Sequence, residues 1–306
     1  MKKSLGVLLF VVTGFVFSCK SSYTKTGDKN ANYIPYYLKV YEADSLFLTN
    51  NFERSYQILD SLFKEYEPLC MNNYAEYSIY LGAAIKSGNV ENIAQKVRYG
   101  VSHFGGIVAL HKENFDMYDE LLIAANLTEE EVSNLEKEYY NNLNLELRDE
   151  MIQMFKDDQA IRNNDDINIE EMQIIDRNNR IKLEAIFDEY GYPSDDLVGT
   201  DYTVSIKGEY VREVILLIHQ DKGFKEKYLP FLLDNVKRGK CDPSIYAMVY
   251  DRMMLDSLGK QYFGSYDCSY GKCKLLNPEI IDSIRMSVGL PNLNYYEWRL
   301  QQFRKE

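Results

Sequence analysis

The chain has 306 residues, of which 45% are hydrophobic and 27% charged, a composition typical of a globular protein with substantial apolar cores. Its formal net charge is −12, and residues 129–171 alone carry fourteen acidic and four basic side chains. Because phosphate binding requires a basic surface, we expect no nucleic-acid partner. The acidic stretch indicates either solvated helix faces around an inter-domain connection or a docking surface for a basic partner.

The first nineteen residues have the pattern of an export signal. Two lysines precede an apolar run over 5–16, which is too short to cross a bilayer as a helix. The segment 16–19, Val-Phe-Ser-Cys, then resembles the lipobox of bacterial lipoproteins. That resemblance implies cleavage after residue 18, a lipid on the thiol of Cys19 and a membrane anchor in the cell envelope, on the periplasmic side of the outer membrane. A secretory signal with an incidental cysteine is the alternative.

The next residues predict a tether followed by a helical repeat region. Residues 19–32 are polar and aperiodic, as expected between an anchor and a folded body. Over 33–127 the apolar spacing is helical, and the turns at Asn51 and Asn89 are 38 residues apart. The two helix pairs resemble degenerate tetratricopeptide repeats, which implies a surface for a protein or peptide partner. No third repeat is evident, and a generic array of helical hairpins is the alternative.

Residues 128–306 predict a second, mainly helical domain. Few of its stretches alternate as strands do, and a small β-hairpin is predicted over 261–275. Cys268 and Cys273 bracket a turn-like stretch there and are candidates for a local disulfide in an oxidising compartment. The predicted fold class is therefore all-α in the main, with a helical-hairpin array ahead of a helical domain.

Charged or polar side chains interrupt the apolar stripes of three helices in this second domain. Asp158 and Arg162 continue one stripe, His219 ends a second, and Asp251 with Arg252 interrupts a third. One interpretation is a structural lattice of buried ion pairs, in which the two arginines satisfy the two aspartates. The other is a pocket in which His219 acts as an acid or base beside the two catalytic aspartates, while an arginine binds an anionic group of the ligand.

Several short motifs contain these residues: Asp158-Gln159-x-x-Arg162, Asp176-x-x-Asn179, His219-x-Asp221, Asp251-Arg252 and Gln261-Tyr262-x-Gly264. Their order over 145–300 resembles a bacterial family of domains of unknown function. The resemblance implies ligand-binding roles for Gln159, Asp176, Asn179, Gln261 and Tyr262, and it transfers no activity.

Two classes of function stay open. The sequence has no glycine-rich phosphate loop, zinc motif or serine elbow, so we expect no cofactor and no metal. The first class is a lipid-anchored enzyme or small-ligand binder, with hydrolytic chemistry around His219. The second is a non-enzymatic interaction protein that binds its partner on a groove of exposed tyrosines, with candidates at Tyr37, Tyr41, Tyr77 and Tyr80.

Overall fold

The computed structural model describes residues 23–71, 75–105, 117–163, 168–199, 209, 211–266 and 274–304. Within these residues the chain forms fourteen α-helices and one two-stranded sheet, which confirms the mainly all-α fold class. The helices are α1 Ile34–Leu48, α2 Phe52–Glu65, α3 Glu76–Ser87, α4 Ile93–Phe104, α5 Tyr118–Ala125, α6 Glu129–Asn141, α7 Leu145–Arg162, α8 Ile169–Tyr190, α9 Asp195–Val198, α10 Glu213–Ile218, α11 Lys222–Lys237, α12 Pro243–Leu258, α13 Ile281–Met286 and α14 Tyr295–Phe303. None of these helices is both long enough and apolar enough to cross a membrane.

Each of the first four helices packs against the next helix in sequence, and α1 also packs against α3, α3 against α5 and α4 against α6. The turns that follow α1, α3 and α5 share one backbone hydrogen bond between residues five apart, from Asn51 to Leu46, from Asn89 to Ala84 and from Leu127 to Leu122. In each turn the residue just before the donating amide has a positive φ, at Asn50, Gly88 and Asn126, a conformation that asparagine and glycine tolerate.

The sequence analysis did not predict the third of these turns, which lies between α5 and α6. This turn lies a further 38 residues along the chain, from Asn89 to Leu127. The turn residues at 126–128 are Asn-Leu-Thr, so only the asparagine at the left-handed position marks them as equivalent to the earlier turns. A turn that is defined by its backbone conformation can have different side chains at equivalent positions, so it is hard to recognise in sequence.

The described part of the predicted tether is attached to the folded body. The amide of Thr24 donates to Glu65 at the end of α2, and the amide of Glu67 donates back to Thr24, both at 2.8 Å. The amide of Gly27 donates to Arg238 after α11 at 2.9 Å. Residues 24–27 thus bridge the end of α2 and the end of α11. The predicted signal peptide and Cys19 lie outside the described residues.

The repeat region and the C-terminal helices share one hydrophobic core. Buried side chains from Tyr33 to Leu290 belong to a single cluster, and α6 packs against α4 across the predicted boundary at 127 and 128. The hydroxyl of Tyr37 in α1 donates to the carbonyl of Val236 at 2.9 Å. Buried contacts therefore join the repeat region to the C-terminal helices within the described residues.

The two short strands, β1 Lys260–Gln261 and β2 Lys274–Leu275, run parallel. The predicted β-hairpin is wrong in this respect, because a hairpin joins antiparallel strands by a tight turn, whereas parallel strands need a crossover. The candidate disulfide between Cys268 and Cys273 lies outside the described residues and stays a prediction.

Candidate functional site

The polar residues predicted from α7, α8 and α10 come together where these helices meet. Asn144 caps the start of helix α7, and its side chain accepts the amide of Leu147 at 3.1 Å. Helix α7 packs against both α8 and α10. His219 directly follows the last residue of α10, and Asp221 caps α11 by accepting the amide of Phe224 at 2.8 Å. The backbone that carries His219 is therefore fixed by a helix on either side.

His219 and Asp158 form the centre of this site. The Nδ1 atom of His219 lies 3.0 Å from each carboxylate oxygen of Asp158. The side chain of Asp158 is 1% exposed, whereas that of His219 is 19% exposed. Among the described residues, no hydrogen-bond partner contacts the Nε2 atom of His219, so one edge of the ring is held and the other is available.

Three further side chains complete what we call the His219 cluster. Arg162 places Nη1 2.7 Å from Asp158 Oδ1 and Nη2 2.6 Å from Asp176 Oδ1. Gln159 donates from Nε2 to the other oxygen of Asp158 at 2.7 Å. A buried carboxylate needs such partners to remain charged, and here Arg162, Gln159 and His219 supply them. Both terminal nitrogens of Arg162 are engaged by carboxylates.

Asn179 lies one helical turn after Asp176 in α8 and is buried. Its Nδ2 atom has no hydrogen-bond partner and is shielded from solvent. Residues three apart share a face of a helix, so Asn179 stands on the face that carries Asp176 into the cluster. It makes no hydrogen bond to the cluster within the described residues.

Asp251 lies in a second polar group, made by α12 and the segment after it. Its carboxylate accepts the amides of Tyr262 at 2.6 Å, Phe263 at 2.9 Å and Ser265 at 2.8 Å, and also the hydroxyl of Ser265 at 2.8 Å. Gln261 is fully buried and both donates to and accepts from the backbone of Tyr266. No hydrogen bond within the described residues joins Asp251 to His219.

Arg285 closes this second group, which we call the Asp251 cluster (Asp251, Gln261 and Arg285). Its Nη1 donates to the carbonyl of Phe263 at 2.6 Å and its Nε to the carbonyl of Pro291 at 2.7 Å. The cluster therefore pins the segment after β1 to α12 and α13 through backbone groups.

The two remaining predicted ligand residues lie apart from the His219 cluster. Arg252 is exposed, and its Nε lies 3.1 Å from Asp256 Oδ1 on the same helix, not against Asp251. The ring of Tyr262 packs against Tyr250 and Phe263. The predicted lattice thus pairs Asp158 with Arg162 as expected, while Asp251 is satisfied by the backbone and not by Arg252.

Sequence reasoning missed a cleft of about 170 Å³ between the repeat helices and the C-terminal helices, which we call the junction cleft. Its wall includes Glu67, Cys70, Tyr99, His103, Tyr139, Asp195, Asp196, Lys240, Cys241 and Asp242. These residues come from segments far apart in the chain, so no local motif could have revealed it. In the part of the chain that the structure describes, no three His, Cys, Asp or Glu side chains are placed to hold a metal ion.

No protein-family model matches the chain, and no curated protein or solved structure is significantly similar to it. The resemblances to a lipoprotein signal, to tetratricopeptide repeats and to a domain family therefore stay predictions. What the chain does has to be argued from the geometry of its own residues.

Proposed function

We propose that the protein is a lipid-anchored protein of the bacterial cell envelope in which His219 is the acid–base group of a site for a small molecule. The observation that carries the proposal is the asymmetry of the imidazole. Its Nδ1 is held by the buried carboxylate of Asp158, whereas its Nε2 has no partner among the described residues and the side chain is 19% exposed.

This geometry suits general-base chemistry. With a proton on Nδ1 donated to Asp158, the lone pair of Nε2 can accept a proton from a water molecule or from a substrate hydroxyl. The carboxylate of Asp158 would then stabilise the imidazolium that forms. Gln159 and Arg162 position Asp158, since each contacts one of its oxygens. Hydrolysis, in which water is the nucleophile, needs no further cofactor and is the reaction class we propose.

The charges of the cluster favour an uncharged or cationic ligand. Asp158 and Asp176 contribute two negative charges and Arg162 one positive charge, which leaves one net negative charge when His219 is neutral. Arg162 already binds both carboxylates, so an anion would have to break a buried ion pair to reach it. An anionic group bound by Arg162 or Arg252, as the sequence suggested, is therefore not the form we propose.

The tautomer of His219 tests the site directly. We expect long-range ¹⁵N–¹H spectra of histidine-labelled protein to show the proton of neutral His219 on Nδ1, with the ring broadened by a soluble paramagnetic chelate. Asp158→Asn can present an amide donor to Nδ1 and should move the proton to Nε2. The matched variant Asp176→Asn, which does not touch the ring, should leave the tautomer unchanged.

His219→Ala provides a second readout of the same site. Because Asp158 keeps Arg162 and Gln159, we expect the free energy of unfolding to fall by less than the roughly 3 kcal/mol expected for removal of Arg162. A proton on Nε2 in the unaltered protein, or a His219 ring that the chelate cannot reach, would contradict an acid–base role.

The anchor has its own experiment in the full-length chain. In a bacterium fed a labelled fatty acid, we expect the protein to carry the label and to sediment with membranes. Cys19→Ser should lose the label. A variant that still carries the label would contradict lipid attachment at Cys19.

The second candidate function, a non-enzymatic interaction protein, is favoured by one observation. A third turn of the same kind, between α5 and α6, would give the repeat region the minimum of about three units that stacked repeats need. The exposed tyrosine groove expected for that function is absent at the four candidate positions, which are all buried: Tyr37, Tyr41, Tyr77 and Tyr80. A partner would therefore bind elsewhere on the repeats.

A further inference from the structure

The junction cleft lies outside the His219 cluster and none of the proposed chemistry uses it. Its walls come from both sides of the shared core: α4 and the segment after α2 on one side, the start of α9 and the segment between α11 and α12 on the other. Any molecule bound there would contact the repeat region and the C-terminal helices at once.

The wall of the cleft is strongly acidic. Four carboxylates line it, those of Glu67, Asp195, Asp196 and Asp242, against the single lysine Lys240. With all four carboxyl groups ionised and His103 neutral, the wall has a net charge of −3, since four negative charges face one positive charge.

Two of these carboxylates have neutral partners only. Glu67 accepts the amide and the hydroxyl of Thr26, both at 2.9 Å, and Asp242 accepts the amide and hydroxyl of Ser244. Lys240 contacts Asp196 at 2.5 Å. Within the described residues, no lysine or arginine forms an ion pair with Glu67 or Asp242.

Glu76 adds a further carboxylate behind this wall. It is fully buried and accepts the hydroxyl of Tyr36 and the amide of Met71, both at 2.8 Å. Burial, with a smaller contribution from the charge of Asp242, raises the pKa of Glu76 to about 7. Burial also raises the pKa of Asp242. Both shifts come mainly from burial, which disfavours the charged form of each carboxyl group.

Aromatic rings form much of the remaining wall. Tyr99, Phe104 and Tyr139 line the cleft, and the ring of His103 stacks on Tyr99 with centroids 3.8 Å apart. Aromatic faces attract cations through the ring quadrupole and also pack against aliphatic chains. Carboxylates combined with aromatic rings make a wall that suits a positively charged group on an alkyl chain.

We propose that the junction cleft binds an organic cation, an alkylammonium or alkylguanidinium group whose chain packs against Tyr99 and Phe104 while its charge faces Glu67. A cleft of about 170 Å³ is smaller than the roughly 300–1,000 Å³ of sites for drug-sized ligands, so it accepts a small amine or one basic side chain. A free amine and the lysine side chain of a peptide share this chemistry.

The test uses the histidines as reporters of the two sites in one sample. His103 lines the cleft and is assigned with His103→Gln, whereas His219 reports on the other cluster. At pH 7.5 we expect n-butylamine to shift the His103 resonances saturably and to leave those of His219 unchanged.

An acetylated, amidated Gly-Lys-Gly peptide distinguishes the two sources of the cation. Saturable binding of the peptide assigns a peptide lysine, and binding of butylamine alone assigns a free amine. The neutral n-butanol and the anionic butyrate should have no effect.

Two variants locate the binding. Glu67→Gln keeps the acceptor for Thr26 but removes the charge, and we expect it to weaken butylamine binding about tenfold. Glu65→Gln removes an exposed charge that does not line the cleft and should leave the affinity unchanged. Lys240→Met removes the cation that competes for Asp196, and we expect it to strengthen butylamine binding. This variant tests the proposal independently if Glu67→Gln does not fold. A His103 that does not respond to butylamine, or responds equally to butanol, would overturn the proposal.

Discussion

The His219 cluster and the Asp251 cluster both place a fully buried aspartate on the apolar side of a helix, yet they satisfy that charge in different ways. Asp158 is held by side chains, among them Arg162 and the partly exposed His219. Asp251 is held by three backbone amides and a hydroxyl from residues 262–265. One carboxylate therefore orients a titratable ring, and the other anchors a segment of chain.

The comparison shows how a structural charge differs from one that can serve chemistry. The donors to Asp251 are committed to it, and no accessible group depends on its charge. The partners of Asp158 include a histidine whose second nitrogen has no hydrogen-bond partner among the described residues. Burial alone does not distinguish the two aspartates, since both are inaccessible to solvent. The identity of the partners does.

The largest expected effect is that of Asp251→Ala. The substitution leaves three amides and the Ser265 hydroxyl without their acceptor, and we expect the free energy of unfolding to fall by about 4 to 5 kcal/mol. Urea denaturation measures the loss. Amide hydrogen exchange should accelerate at Tyr262, Phe263 and Ser265.

Asp251→Asn is the matched control, because its remaining carbonyl oxygen can still accept two of these donors. We expect it to lose less stability than the alanine variant. If Asp251→Ala proves as stable as the unaltered protein, Asp251 does not anchor this segment.

The second-largest expected effect is that of Arg162→Ala, and Arg252→Ala is its control. Both arginines pair with an aspartate four residues away on their own helix, but the aspartate of the first pair is 1% exposed and that of the second 46%. Removing Arg162 leaves the charge of Asp158 buried without its cation, and we expect a loss of about 3 kcal/mol in urea denaturation. Arg252→Ala should cost about 0.5 kcal/mol or less. Equal losses would mean that burial does not set the strength of these pairs.

Part of this contrast was predictable from sequence. Arg162 follows Asp158 by four residues, a spacing that places both on one face of a helix, and the structure forms that pair. The proposed pairing of Asp251 with Arg252 failed because adjacent residues on a helix point in different directions. Most partners of Asp251 are backbone amides, which every residue except proline carries and which therefore leave no signal in sequence.

The repeats and the junction cleft also depend on structural features that sequence reasoning does not detect. Two turns 38 residues apart could be read from Asn51 and Asn89, but the third depended on the backbone conformation of Asn126. The cleft is assembled from segments as distant as Glu67 and Asp242. Helical periodicity predicts which residues face inward, and it does not predict which distant segments will meet there.

Glu76 is a third buried carboxylate, and its partners differ from those of Asp158 and Asp251. Its substitution has the smallest expected effect among the predictions for the core. Its donors, the hydroxyl of Tyr36 and the backbone amides of Met71 and of Glu76 itself, are neutral and fewer than those of Asp251, and burial raises its pKa from 4.5 to about 7. The folded protein therefore binds this proton more tightly than the unfolded chain. The stability it contributes is complete below about pH 4.5 and is lost as the pH rises through about 7.

Glu76→Gln resembles the protonated side chain at every pH, so the difference between the two proteins should depend on pH. We expect the variant to be more stable than the unaltered protein by about 2 to 3 kcal/mol at pH 8, with the advantage shrinking towards pH 5. Urea denaturation at both values measures it, and Glu65→Gln, at an exposed position, should show no such trend. A pH-independent difference would mean that Glu76 is already charged in the folded protein. In that case its neutral donors alone would be enough to keep a buried carboxylate charged.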